Sequence, residues 1–337
     1  MFRYLHKLIG LLFIVSSLVG GWFAWDYKVF VATPLNIGPE GVVVDVIPGM
    51  SLRGLAESLS ERGIISHPSY FVLLGRLGGM AEKIRAGEYQ IDEGSTPDDL
   101  LKRLVSGEVI QHQLTVVEGW TFQQMLEALW THDAIRQTLQ GRDGLQIMAE
   151  LGKPGLHPEG QFAPDTYQFP RGTSDLEFLR RAHKTMQAWL ETEWPKRADN
   201  LPYETPYDAL IMASIIEKET ALGSEREKIA GVFVRRLQRG MRLQTDPTVI
   251  YGMGENFDGN IRRADLRRDT PYNTYTRHGL PPTPIALPSL ASIHAALHPA
   301  SGKALYFVAK GDGSHHFSAT LDEHLDAVRK YQLKRRN

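Results

Sequence analysis

The chain has 337 residues, 42% hydrophobic and 23% charged, with a net charge of -1 at pH 7. That length allows two or three domains with sizeable cores, and the charge balance offers no basic face for nucleic acid. The complete lack of cysteine excludes disulfides, a thiolate nucleophile and any Cys-based metal site.

The N-terminus opens with Leu8 to Trp25, an uncharged stretch at the short end of what spans a bilayer. Arg3 and Lys7 precede it, and Trp22 and Trp25 close it as interface anchors would. No small-x-small cleavage signature follows, which favours an uncleaved anchor over a removed signal peptide. The positive flank predicts a short cytoplasmic tail, with the rest of the chain across the membrane.

Three segments then share one pattern. Gly49, Ser51, Leu55 and Leu59 are matched by Gly94, Thr96, Leu100 and Leu104, and again by Gly119, Thr121, Met125 and Leu129. Each copy follows an extended run, namely 42–46, 88–92 and 112–117. The unit predicted is strand, turn glycine, Ser or Thr N-cap and amphipathic helix. A further helix, Tyr70 to Leu77, separates the first two copies. The start of the first copy, from Val46 to Ala56, resembles a LysM module, a small βααβ fold that binds glycans rich in N-acetylglucosamine. Leu139 to Pro158, with several Gly and Pro residues, reads as a link into a second domain.

Beyond His157 the texture changes. Glu159 to Tyr167 is turn-rich yet aromatic, as in an ordered loop. Helices are predicted at Asp175 to Trp194, Asp208 to Leu222 and Ser224 to Gln238, the last opened by a Ser224–Glu227 capping box and closed by Gly240. Proline-rich polar and aromatic loops follow at 243–248, 270–275 and 279–288. Their tyrosines beside amide and hydroxyl groups suit sugar binding. Leu305 to Ala309 and His315 to Phe317 read as a hairpin.

The helix at 208–222 carries two carboxylates, Glu217 and Glu219. At about 100° per residue, Met212, Ile215 and Ile216 form a stripe from roughly 240° to 340° that contains Glu219 at roughly 280°. Glu217 falls at roughly 80°, with Leu210 and Ala213. A carboxyl set into an apolar face resists ionisation, as a general acid working near neutral pH requires. An Arg-paired surface Glu is the plainer reading of the same pattern. His294 and His298 stand four apart, but no Glu follows His294 as a metalloprotease helix would have it. No nucleophile elbow, phosphate loop or dinucleotide fingerprint is present. No metal or cofactor is expected.

Residues 214–220 (SIIEKET) followed by 243–252 (LQTDPTVIYG) are similar to the YceG-like family of endolytic murein transglycosylases. The likeness runs from the apolar N-terminus to the end, through Glu159–Gly160, 164–167 (PDTY), 272–275 (YNTY), 279–282 (GLPP) and His298–Pro299. It implies an α+β protein with a cytoplasmic tail and N-terminal transmembrane helix within 1–28, a LysM-like strand–helix repeat region at 29–155 and a mixed α+β catalytic domain at 156–337. The implied enzyme is a single-pass protein of the inner membrane with its catalytic domain in the periplasm. It cuts nascent peptidoglycan strands between N-acetylmuramic acid and N-acetylglucosamine, leaves 1,6-anhydro-muramic acid ends, and terminates elongation in company with peptidoglycan synthases, the penicillin-binding proteins. The family's catalytic Glu precedes a hydroxyl residue, which fits Glu219–Thr220. Gln244, Asp246, Tyr272, Asn273 and Tyr275 are the expected sugar-binding residues, and Glu217 is the alternative acid. A glycan-binding adaptor without catalysis, or a hydrolytic muramidase using a partner carboxylate such as Asp246, are the rival readings.

Overall fold

The computed structural model describes residues 2–333, with side chains from Leu5 to Leu333. Met1, residues 334–337 and the side chain of Arg3 lie outside the described residues. The protein is mixed α+β with an apolar N-terminal helix, and it divides into two compact units. One comprises residues 1–112 with 169–172; the other comprises 113–168 with 173–337.

The first unit begins with α1 (Phe2–Ala32), within which Leu5–Ala32 is long and apolar enough to cross a membrane. Next come β1 (Val42–Val46), α2 (Leu52–Glu61), α3 (Pro68–Leu77), β2 (Gly87–Ile91) and α4 (Pro97–Ser106). β1 and β2 pair antiparallel, with Val44 opposite Tyr89. What this unit shares with a LysM module is that βααβ order. Val44, Leu55, Phe71, Tyr89 and Leu101 are among its buried core residues.

The second unit takes up β3 (His112–Thr115) from Gln113 on, α5 (Phe122–Thr131), α6 (Gly144–Glu150), β4 (Thr166–Phe169) as far as Gln168, α7 (Asp175–Glu193), α8 (Pro206–Glu219) and α9 (Arg226–Gln238). It continues with α10 (Asp246–Met253), α11 (Arg263–Arg267), α12 (Leu290–Leu297), β5 (Tyr306–Ala309), β6 (His315–Ser318) and α13 (Leu321–Val328). The hairpin anticipated near the C-terminus is present, with Phe307 opposite Phe317.

The three strand–turn–helix copies form as their local chemistry dictates. Gly49, Gly94 and Gly119 each adopt a positive φ, between 77° and 84°, a conformation that side-chain-bearing residues rarely take. Two residues on, Ser51, Thr96 and Thr121 each accept a hydrogen bond from a backbone N–H of the first helical turn. The third copy, whose helix is α5, belongs to the second compact unit.

α8 is the core of the second unit and packs most extensively on α12. It starts two residues earlier than its apolar pattern predicts. Thr205 caps it in a reciprocal box with Asp208, and Pro206 occupies the first turn, where a missing N–H costs nothing. It also stops earlier, at Glu219, because Thr220 is extended (φ -147°, ψ 135°). Every residue from Ala209 to Ile216 is buried, so α8 has no solvent face before its last turn. The wheel's division into an apolar stripe and an opposite face therefore does not describe this helix. The expected capping box at Ser224 does not form either. Residues 223–225 make a 3-10 turn, and Glu225, at the N-cap of α9, makes no side-chain cap bond.

Candidate active site

Glu219 is the last residue of α8, and that position sets its environment. The helix behind it is buried, while the chain beyond turns away, so the carboxyl is half-buried and faces open space. Two adjoining grooves meet there. The first, about 720 Å³, is lined by residues 115–119, 164–166, 217–221 and Arg226. The second, about 420 Å³, is lined by α9, the 243–246 loop, Tyr275, the β5–β6 hairpin and α13. Glu219 is the residue that lines both. Both volumes are in the range of ligand clefts, and together they leave the carboxyl approachable from two sides.

The electrostatics of Glu219 suit an acid. Burial pushes its carboxyl up from 4.5 to about 7. The hydrogen bond from Thr245 and the nearby His315 oppose that rise, and the Asp246 carboxylate adds to it. The C-terminal end of α8, with its partial negative charge, further disfavours an ionised carboxyl there. Thr245 Oγ1 donates to Glu219 Oε1, so Oε2 is the oxygen left to carry the proton.

Glu217 sits differently. Its Oε2 accepts from Ser289 N at 2.8 Å and Ser289 Oγ at 2.5 Å, and its Oε1 lies 3.4 Å from Arg226 Nη2. Ser289 is the N-cap of α12, so Glu217 ties α8 to the helix it packs against. Its side chain is 6% exposed.

The sequence-predicted sugar-binding residues separate into two groups. Gln244, Asp246 and Tyr275 line the second groove with Glu219. Gln244 is a non-glycine residue held at φ 54°, with its Oε1 3.4 Å from Arg236 Nη1. Tyr275 donates to Asp246 Oδ1 at 2.6 Å. Tyr272 and Asn273 line neither groove. Tyr272 bonds Thr283 at 2.8 Å and meets Tyr251 edge-on. Asn273 is 1% exposed; its Nδ2 donates to the carbonyls of Asp265, Leu266 and Arg268, and its Oδ1 accepts from Tyr275 N. Its amide is spent on shaping the loop that presents Tyr275.

Three residues escaped the sequence reasoning. Thr245, between two named candidates, is the direct partner of Glu219. His315 lines the second groove, with its Nδ1 2.7 Å from Glu225 Oε2; the sequence marks it only as part of a hairpin strand. Glu159 has a carboxyl also pushed up by burial to about 7, but it is 4% exposed and held by Phe122 N and Tyr251 OH away from both grooves. Elsewhere, the His294–His298 pair acquires a carboxylate that the local motif lacks. Glu193 of α7 lies 3.0 Å from His294 Nδ1, with its other oxygen taken by Lys196.

The sequence matches the YceG-like family over residues 44–330. The chain is a member of the YceG-like family. Its YceG-like region takes in every residue lining the two grooves except Gln332. Similar proteins include an endolytic murein transglycosylase of Bacillus subtilis (strain 168), 33% identical over 333 residues, covering 93% of this chain and 91% of that protein. An endolytic murein transglycosylase of Streptococcus pneumoniae is 27% identical over 355 residues, covering 93% of this chain and 63% of that longer protein. The crystal structure of a YceG-like protein from Listeria monocytogenes superposes with a TM-score of 0.55 at 30% identity, covering 86% of this chain and 99% of that one.

Proposed function

We infer that the chain is an endolytic murein transglycosylase. In this reading it cleaves peptidoglycan glycan between N-acetylmuramic acid and N-acetylglucosamine and leaves a 1,6-anhydro-muramic acid end. The observation that carries the reading is Glu219, a half-buried carboxyl with a pKa near 7 placed where two open grooves meet. A polymer cut internally must extend from the scissile bond in both directions, and this arrangement gives it room to do so.

The chemistry follows from one carboxyl. Protonated Glu219 donates to the glycosidic oxygen as the C1–O bond breaks and positive charge develops at the anomeric centre. The resulting carboxylate takes the proton of the muramic acid 6-hydroxyl, whose oxygen bonds C1 from within the same sugar. One C–O bond breaks, another forms, and Glu219 regains its proton without water being consumed. Because the nucleophile is intramolecular, its positioning is already provided. Thr245 fixes the carboxyl through Oε1. We assign Gln244, Asp246 and Tyr275 to holding the glycan, and Asn273 and Tyr272 to shaping the loop beside them.

The anchor and compartment belong to the same reading. α1 spans the inner membrane once, the Arg3 and Lys7 flank stays in the cytoplasm, and the catalytic unit works in the periplasm on strands delivered by peptidoglycan synthases. Asp246 supports a second reading, hydrolysis by a carboxylate pair, because it lines the same groove as Glu219.

The experiment is digestion of purified peptidoglycan followed by mass spectrometry of the products. Anhydro-muramic ends from the wild type and none from Glu219→Gln are expected, with glycan binding retained by the variant. Reducing ends alone would establish the muramidase. Full turnover by Glu219→Gln would remove Glu219 from the role, and binding with no turnover by either protein would leave an adaptor.

A further inference from the structure

α3 packs beside the C-terminal part of α1. His67, just before α3, meets Phe30 edge-on with ring centroids 6.1 Å apart. Tyr70, in its first turn, meets Phe30, Tyr27 and Phe23 at 5.7, 5.8 and 5.2 Å and donates to Asp26 Oδ2 at 2.8 Å. Ser69, Tyr70, Leu73 and Arg76 of α3 line a groove of about 480 Å³ whose α1 wall is Phe23. A separate groove of about 580 Å³ is formed by α1 residues from Asp26 to Thr33 with Ser66 and His67. At 1.5 Å per residue, Phe30 and Phe23 are about 10 Å apart along the α1 axis. The first turn of α3 thus contacts α1 from Phe30 back to Phe23, and the Phe23 groove runs along α3 from Pro68 to Arg76.

The position of that groove matters because the uncharged run of α1 ends at Trp25, with Asp26 as the first acid. Phe23 belongs to the membrane side of that boundary, so the groove it walls, lined also by Leu73 and Arg76, stands at headgroup level. Leu77, 72% exposed, follows exposed Arg76 at the end of α3. Arg53 of α2, also exposed, completes the groove, with Glu57 one turn further along α2. Among the described residues no carboxylate forms an ion pair with Arg53 or Arg76.

We propose that the end of α3, together with Arg53, is a docking site for an anionic phospholipid surface. Leu73 and Leu77 enter the interfacial layer while Arg53 and Arg76 hold a lipid phosphate. Arginine presents several donors to phosphate oxygens, and an exposed leucine at this depth leaves water on docking. Glu57 faces the same groove and, with two arginines opposing it, leaves the balance positive. The site would fix the tilt of the first unit on the bilayer. It rests on the reading of α1 as a membrane anchor.

The test uses the full chain in lipid nanodiscs. With no native cysteine, Ser69→Cys gives a single labelling position at the exposed rim of the groove. A fluorophore there is read for quenching by lipids bearing a headgroup nitroxide. Quenching should be several-fold greater in discs containing phosphatidylglycerol than in pure phosphatidylcholine. It should fall at molar salt, where the screening length is roughly 3 Å. Arg53→Glu with Arg76→Glu should reduce it to the phosphatidylcholine level, and either Arg→Gln change alone should reduce it in part. Equal quenching in both lipids, or a response untouched by the double variant, overturns the proposal. Failure of the chain to enter discs at all, seen at purification before any fluorescence is read, instead removes the anchor and the site with it.

Discussion

Thr245 donates its side-chain hydrogen bond to the same carboxyl, that of Glu219, whose pKa burial raises to about 7. The two residues are 26 apart in sequence and are joined at the meeting point of the grooves. A donor to a carboxylate favours the ionised form, so Thr245 restrains the rise that burial imposes. A general acid must be protonated in the free enzyme, so kcat/KM should hold below pH 7 and fall about tenfold per unit well above it. Thr245→Val removes the restraint and should move that limb to higher pH. Asp246→Asn removes a charge that raises the pKa and should move it to lower pH, whatever either change does to the maximum rate. Rate profiles between pH 5 and 9 check both, and limbs that move together would contradict this electrostatic account.

Glu159 offers a second acid with a pKa near 7, and its effect should appear in stability. Its folded value is raised from 4.5 by burial, so the neutral form is the one the fold accommodates. The associated stability is fully present below about pH 4.5 and is lost as pH rises through about 7. The interval corresponds to about 3 kcal/mol at most. Glu159→Gln cannot ionise and should lose less stability than wild type between pH 5 and 8. Thermal unfolding across that range should therefore show the variant gaining on the wild type as pH rises. A constant gap between the two Tm curves would mean that Glu159 stays ionised throughout.

How much of this could be read beforehand depends on how local the physics is. The three glycine turns and their Ser or Thr caps were legible because a positive φ and an N-cap bond are settled within four residues. The hairpin at 306–318 was legible for the same reason. α8 was legible as a helix but not as an environment: its apolar pattern runs all round because α12, α9 and α10 surround it. Glu219 stands out because the helix ends there, not because of a stripe. The Ser224 box failed where a tertiary demand took the region, since Glu225 is committed to the backbone and ring of His315, 90 residues away. Thr245 and His315 were hidden because their partners are distant in sequence. Asn273 was placed in the right loop, but the structure shows its amide turned inward.

Glu217 should answer differently from its neighbour. Its carboxylate accepts from the α12 N-cap and faces Arg226, so Glu217→Gln leaves a mostly buried guanidinium with Glu118 at 3.8 Å as its remaining acidic partner. Breaking a buried pair from one side costs about 3–5 kcal/mol, here reduced by the hydrogen bonds that Gln can still accept and by Glu118. We expect a loss of about 2 kcal/mol in denaturant unfolding. The position of the pH–rate limb should not move, because Glu217 has no part in the proton transfer. A limb that shifted with Glu217→Gln would reopen the choice between the two carboxylates.

Asn273→Ala tests whether the loop is built by that amide. The substitution leaves the carbonyls of Asp265, Leu266 and Arg268 without their shared donor and Tyr275 N without its acceptor. Each buried group left unpaired costs about 1–3 kcal/mol, less where the loop relaxes or water enters. A net loss of about 2–4 kcal/mol in unfolding free energy is therefore expected. Tyr275→Phe removes only the hydroxyl bonded to Asp246 and should cost less than 1.5 kcal/mol. Its effect should fall on glycan cleavage, because Tyr275 and Asp246 line the groove while Asn273 does not. Measured at a temperature where both variants are folded, Tyr275→Phe should raise KM. Asn273→Ala should lower the unfolding transition, and it should raise KM only as far as it displaces Tyr275. If Asn273→Ala keeps wild-type stability yet loses glycan affinity, the amide contacts sugar after all and the division of the loop drawn from burial is wrong.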